Sequence, residues 1–354
     1  MTATIPKILI HQGNEPAEGG ISDNSLKGKN PVDVEPLGDH HECEWTLGAK
    51  TYIMNNFLSR MKRGLQREPR FGLALSGGGA RGLAHIGVLK VLEEAGIQPD
   101  YLAGTSMGGV IAAAYAAGLK PDEIEQIATD TSRTRNLLRL ADFSLPQQGI
   151  FRGERLLAFF SQHLNGCNFA DLSVPLSLIA VDLNTGQEVR LQEGSVAQAL
   201  RATVSIPGLL APVVQDGMRL VDGGLLNNLP VDAVRQMGAD VVLGVDVDWQ
   251  NDSVWQTLAH LKPLSGTIGG LIATLGDSLD LLVRQQRANK LRSASPDFLV
   301  RPDIPAEVTI LTGYNRVAEL ITQGEVATYP VLPVLDEVLQ AHLDWFFKGS
   351  SRMI

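Results

Sequence analysis

Ser106 stands where a serine could do chemistry. It is the centre of Gly104-Thr105-Ser106-Met107-Gly108, a G-x-S-x-G pentapeptide, between the apolar run at Tyr101–Ala103 and the Ala-rich stretch Val110–Ala117. A serine on a sharp strand-to-helix turn takes a strained backbone conformation and projects its hydroxyl clear of the sheet. At the first turn of a helix it also meets the positive end of the helix dipole, which favours negative charge developing nearby. The bare pentapeptide equally suits a serine that only caps a helix. The strand before it and the helix after it favour a nucleophile.

Two other groupings could serve such a serine. The loop Gly77-Gly78-Gly79-Ala80-Arg81-Gly82 follows the apolar run Phe71–Ser76 and leads into a helix carrying Ile86, Leu89 and Leu92, which stops at Gly96. Strand, glycine loop and helix start together form a nest of backbone N–H groups for an anion. One candidate anion is the oxyanion formed when Ser106 attacks an acyl carbon. The other is a dinucleotide pyrophosphate, since Gly77, Gly79 and Gly82 match G-x-G-x-x-G. That second reading wants an acidic residue after the second strand, whereas Tyr101–Ala103 runs into Gly104 and Asp100 precedes it. Arg81 and His85 flank the loop; we read Arg81 as a tie for the loop and His85 as packed. The third grouping is Asp222-Gly223-Gly224, after the run Met218–Val221. It is either a plain turn or a carboxylate delivered to the same rim as Ser106.

These groups need a sheet to hold them. Two adjacent βα units place the glycine loop and the serine turn at one strand-end rim of a parallel sheet. Further strands are expected at Val174–Asp182, Glu188–Leu191, Val241–Val247 and Phe298–Arg301, with a Ser195-capped helix reaching Thr203. Residues 249–300, with Trp249, Trp255 and the basic cluster Arg284–Arg292, predict a lid or rim over the site, or ordinary surface helices. Two helices are expected between Gly313 and Phe347.

The bulk composition sets limits. The chain has 354 residues and a formal net charge of −9, which argues against nucleic acid as a partner. Cys43 and Cys167 fit neither a disulfide framework nor a zinc spacing. No signal peptide and no bilayer-spanning run is evident, so a cytoplasmic protein is expected. Residues 1–43, rich in Gly, Pro, Asn and Asp, are expected to be disordered, and His40-His41 has no partners at metal-ligand spacing. Residues 44–70 form an amphipathic basic helix or linker, with Met54, Phe57, Leu58, Met61 and Leu65 at helical spacing beside Arg60, Lys62, Arg63, Arg67 and Arg70. This stretch either lies on an anionic membrane surface as a peripheral contact or packs onto the domain with a solvated basic face; packing is favoured. Residues 71–354 make up the remaining domain.

The three motifs, in this order and spacing, closely resemble those of the patatin-like phospholipases, especially their bacterial branch. The resemblance covers roughly residues 71 to 330. It implies a three-layer α/β/α fold with a mostly parallel sheet, and a Ser–Asp dyad without a catalytic histidine. Carried over by position, Ser106 is the nucleophile, Asp222 is its partner, and the N–H groups of Gly77, Gly78 and Gly79 form the oxyanion hole. Arg81, Gly82, Gly104, Gly108, Gly223 and Gly224 complete the motifs. The implied reaction is hydrolysis of an acyl ester in a phospholipid or other acyl-lipid, through an acyl-enzyme, with no cofactor and no metal. A free aspartate, with a pKa near ~3.9, is a weak base at neutral pH and must gain basicity by desolvation. The alternatives are a non-catalytic lipid-binding or membrane scaffold of the same fold and, less favoured, a dinucleotide enzyme. A conventional triad would instead recruit His260 or His342.

Overall fold

The computed structural model describes residues 69–133, 140, 142, 150–248 and 267–340. Residues 1–68, His260, His342, Trp249 and Trp255 lie outside this set, and with them the expected N-terminal segment and most of the basic helix. Among the described residues no helix is long and apolar enough to cross a membrane.

Strand β1 (Phe71–Leu75) is buried along its whole length. A strand covered on both faces reads as an unbroken apolar run, not an alternating one. It pairs in parallel with β2 (Tyr101–Thr105) on one side and β7 (Val241–Val245) on the other. Strand β3 (Leu176–Asp182) continues the sheet beyond β2, and β8 (Phe298–Val300) continues it beyond β7, both in parallel. Strands β4 (Gln187–Leu191), β5 (Val213–Gln215) and β6 (Met218–Asp222) add antiparallel pairings. The order is β5-β6-β3-β2-β1-β7-β8, with β4 against β3. The three-residue β5 is not legible in the sequence, because it is too short to show an alternating pattern.

Among the described residues the helices include α1 (Ala84–Glu94), α2 (Ser106–Ala116), α3 (Pro121–Ser132), α4 (Glu154–His163), α5 (Val196–Thr203), α6 (Val231–Met237), α7 (Thr267–Ser293) and α8 (Val317–Thr328), and residues 332–340 are helical as well. Successive side chains of a strand point to opposite faces. Leu73 and Leu75 of β1 therefore enter one core, shared with α1, α2 and α8, while Ala74 enters another, shared with α6. Helices cover both faces of the sheet, giving a three-layer α/β/α fold. Leu73, Leu75, Leu102, Leu178 and Leu243 are fully buried, each contributing about 1.5–3 kcal/mol on transfer from water.

One edge of β3 decides the rest. β2 occupies it at residues 176–179 and β6 occupies it at 180–182, while β4 lines the opposite edge. β2 runs parallel to β3 and β6 antiparallel, so their carboxyl ends meet head-on. Thr105 stands opposite Ile179 and Asp222 opposite Ala180. Those are consecutive residues of one strand, with a rise of about 3.3 Å between them.

Candidate active site

The chain leaves β2 at Thr105, still extended, and turns at once into α2. The turn residue is Ser106, whose φ of 51° lies in the left-handed region. A non-glycine residue held there costs about 1–3 kcal/mol and needs its surroundings to hold it. The Ser106 N–H donates to Thr203 Oγ1 at 3.0 Å, and the Thr203 hydroxyl donates to the Ile179 carbonyl at 2.5 Å. The Thr105 hydroxyl donates to the Asn227 carbonyl at 2.8 Å. The turn is thus tied to α5, to β3 and to the segment after β6. Gly108 is required by close approach, because a Cβ there would run into the carbonyls of Leu75 and Ser76 at the end of β1.

Asp222 ends β6 and caps the short 3₁₀ turn Gly223–Leu225, its Oδ1 accepting the Gly224 N–H at 2.8 Å. The nearby Ser106 hydroxyl favours its charged form. The Asp222 N–H donates to the Ser205 carbonyl. Burial pushes the Asp222 carboxyl up to about 6, against the Ser106 hydroxyl and the Gly224 N–H, which favour its charge. Ser106 and Asp222 remain only 8% and 7% exposed.

The glycine loop packs directly on the serine: a Cβ at Gly77 would lie 3.2 Å from Ser106 Cβ. The Gly77 N–H is already engaged, donating to the Asn228 carbonyl at 3.1 Å. The N–H groups of Gly78 and Gly79 make no hydrogen bond among the described residues. Gly79 has φ 57°, and a Cβ there would strike the backbone of Ile310. Gly82 packs on Met107, Gly104 on Gly109, and Gly223 on Ile179. All three sequence motifs therefore converge on one rim.

Arg81 ties the loop down, donating through Nε to the Val308 carbonyl at 3.0 Å and through a terminal nitrogen to Asp248 Oδ1 at 2.5 Å. His85 is fully buried, and desolvation lowers its pKa to about 4, so it is neutral. Its Nε2 donates to the Ser76 carbonyl at 2.8 Å, which makes it a prop under the loop. Part of the basic cluster is a rim tied by ion pairs: Arg287 of α7 meets Asp246 and Asp248, and Lys290 meets Glu188 and Asp232. Sequence reasoning gave Thr203, Asn228 and Asp248 no part in the site. The Asn227-Asn228 pair between Asp222-Gly-Gly and Pro230 was the available signal for Asn228; Thr203 and Asp248 carry none.

Residues 73–235 match the family model of patatin-like phospholipases. That stretch contains the glycine loop, Ser106 and Asp222. An uncharacterized NTE family protein of Mycobacterium tuberculosis is 39% identical over 180 residues, covering 51% of this chain and 49% of that protein. The human patatin-like phospholipase domain-containing protein 6 is 36% identical over 217 residues, or 60% of this chain and 16% of that one. The chain thus spans about half the length of the mycobacterial relatives it matches. Among solved structures, that of VipD from Legionella pneumophila superposes with a TM-score of 0.50 at 15% identity, over 78% of this chain and 67% of that one, a likeness of fold. Over residues 73–235 the chain is similar to the patatin-like phospholipases.

Proposed function

We propose that the chain is a serine acyl hydrolase of the phospholipase A, lysophospholipase or esterase type, working through a Ser106–Asp222 dyad. The observation that carries this is the meeting of Ser106 with the buried Asp222 carboxyl, at the tips of two strands that run head-on along one edge of β3. A serine hydroxyl is a poor nucleophile until a base takes its proton. With its pKa raised to about 6, Asp222 is ionised at neutral pH yet more basic than a free aspartate.

As Ser106 Oγ bonds to the acyl carbon, its proton passes to Asp222 and the carbonyl π pair moves onto oxygen. The oxyanion is met by the N–H groups of Gly78 and Gly79 and by the positive end of α2. On collapse, the bond to the leaving alkoxide breaks and that oxygen takes the proton from Asp222. Water then attacks the acyl-enzyme by the same route, restoring Ser106 and releasing the acid. The substrate on this reading is an acyl ester of a phospholipid or similar lipid, the class named for the family. The catalytic domain begins at β1, and residues 44–70 are a candidate peripheral membrane contact, of which Arg70 packs on the domain, its N–H donating to Asp240.

A dinucleotide at the glycine loop is not supported, because β2 ends in Thr105 and runs into Ser106 with no acidic residue for a ribose. A scaffold without catalysis would not need the strained serine. The test is labelling with a fluorophosphonate, followed by product mass spectrometry on a panel of phospholipids and acylglycerols. Wild type should be labelled and should release fatty acid, and Ser106→Ala should do neither. A Ser106→Ala variant that still released fatty acid would overturn the assignment.

A further inference from the structure

Asn228 lies between the 3₁₀ turn after Asp222 and the start of α6, and it is 8% exposed. It grips the glycine loop twice. Its backbone carbonyl accepts the Gly77 N–H at 3.1 Å, and its side-chain Nδ2 donates to the Gly77 carbonyl at 3.3 Å. The same Nδ2 faces Asp248 Oδ2 at 3.4 Å. Two acceptors on one side set the sense of the amide, since the flipped amide would aim its oxygen at both.

A trans peptide points its N–H opposite to its C=O. Holding the Gly77 carbonyl therefore fixes the direction of the next N–H, that of Gly78. The Gly78 carbonyl is held in turn by the Arg81 N–H at 3.2 Å, which fixes the Gly79 N–H. The two amides without hydrogen-bond partners among the described residues are thus the two whose direction the loop's acceptor bonds set. Asn228 also touches the other half of the site: its Oδ1 lies 3.1 Å from where a Cβ on Gly224 would stand, beside the amide that holds Asp222. Asp248 receives Asn228, Arg81 and Arg287 together, joining both ends of the loop to α7.

We propose that Asn228 is a positioning residue for acyl transfer, aiming the Gly78 N–H at the developing oxyanion through the Gly77 carbonyl. This rests on the serine hydrolase reading above. Asn228 touches no reacting atom, so its removal should leave ground-state binding alone and weaken only the contact made in the transition state.

The experiment measures kcat and KM of Asn228→Ala on a soluble p-nitrophenyl ester, with rates normalised to serines titrated by fluorophosphonate. In parallel, a trifluoromethyl ketone, whose adduct with Ser106 carries the oxyanion, gives an inhibition constant. The expected result is a fall in kcat of about 10²-fold, with KM changed by less than about twofold. The ketone should weaken by the same factor as kcat/KM falls. Unchanged kcat per titrated serine overturns the proposal, as does a fall in kcat that leaves ketone affinity at the wild-type value. If Asn228→Ala does not fold, Asn228→Asp, which keeps the shape and exchanges the NH₂ for oxygen, carries the same measurements. Wild type inert on esters, or Ser106→Ala as active as wild type, would instead sink the hydrolase reading itself.

Discussion

Replacing Asp222 by Asn should cut hydrolysis by orders of magnitude and at the same time stabilise the fold. Burial lifts the carboxyl from 3.8 to about 6 in the folded chain. At about 1.4 kcal/mol per pKa unit, that gap represents about 3 kcal/mol by which the folded state disfavours the charged form. The sign follows from proton linkage. The folded pKa exceeds the unfolded one, so the native state binds more protons between about pH 4 and 6. Stability is lost as pH rises through that window and stays lost above it. Asparagine carries no charge, keeps an oxygen for the Gly224 N–H, and can still meet Ser106, so the variant escapes this loss. Urea unfolding at about pH 7.5 should find Asp222→Asn more stable by up to about 3 kcal/mol, with the difference closing towards pH 4. Ester hydrolysis should fall by about 10²–10⁴-fold, since the variant lacks the base. For wild type, kcat/KM should rise with pH through an apparent pKa near 6. A variant less stable than wild type at neutral pH, together with wild-type rates flat across that range, would refute the buried, ionised base.

At Gly78, a valine would press its Cβ to 2.7 Å from Val247 Cγ2 and turn the loop; Gly78→Val should cost about 10²–10³ in kcat, measured per titrated serine. Thr203→Val removes the acceptor of the Ser106 N–H, and should destabilise by about 1–3 kcal/mol in denaturant titration while lowering turnover about tenfold or more. A chain lacking residues 1–66 should hydrolyse a soluble short-chain ester at the full-length rate, with co-sedimentation on anionic liposomes measured alongside to test the basic stretch Trp45–Arg70.

Local sequence marks the three motifs of this site. Gly104-Thr-Ser106-Met-Gly108 is recognisable from its neighbouring strand and helix, although the strained turn is held by Thr203, Ile179 and Asn227 and Gly108 packs on the end of β1. The continuous apolar runs at β1 and β7 mark strands buried on both faces, and Ser195 caps α5 through the Gln198 N–H as its position suggests. What no local pattern contains is the meeting of β2 and β6. It depends on the registers of two strands on one edge of β3, and register is set by packing and pairing partners far away in the chain. The same holds for the glycine loop. Three consecutive glycines look alike as donors in sequence, yet Gly77 spends its N–H on Asn228, 151 residues away, leaving Gly78 and Gly79. The raised pKa of Asp222 is likewise a property of burial. An aspartate before two glycines is an ordinary turn residue until the sheet, α5 and the segment after β6 close around it and remove its water.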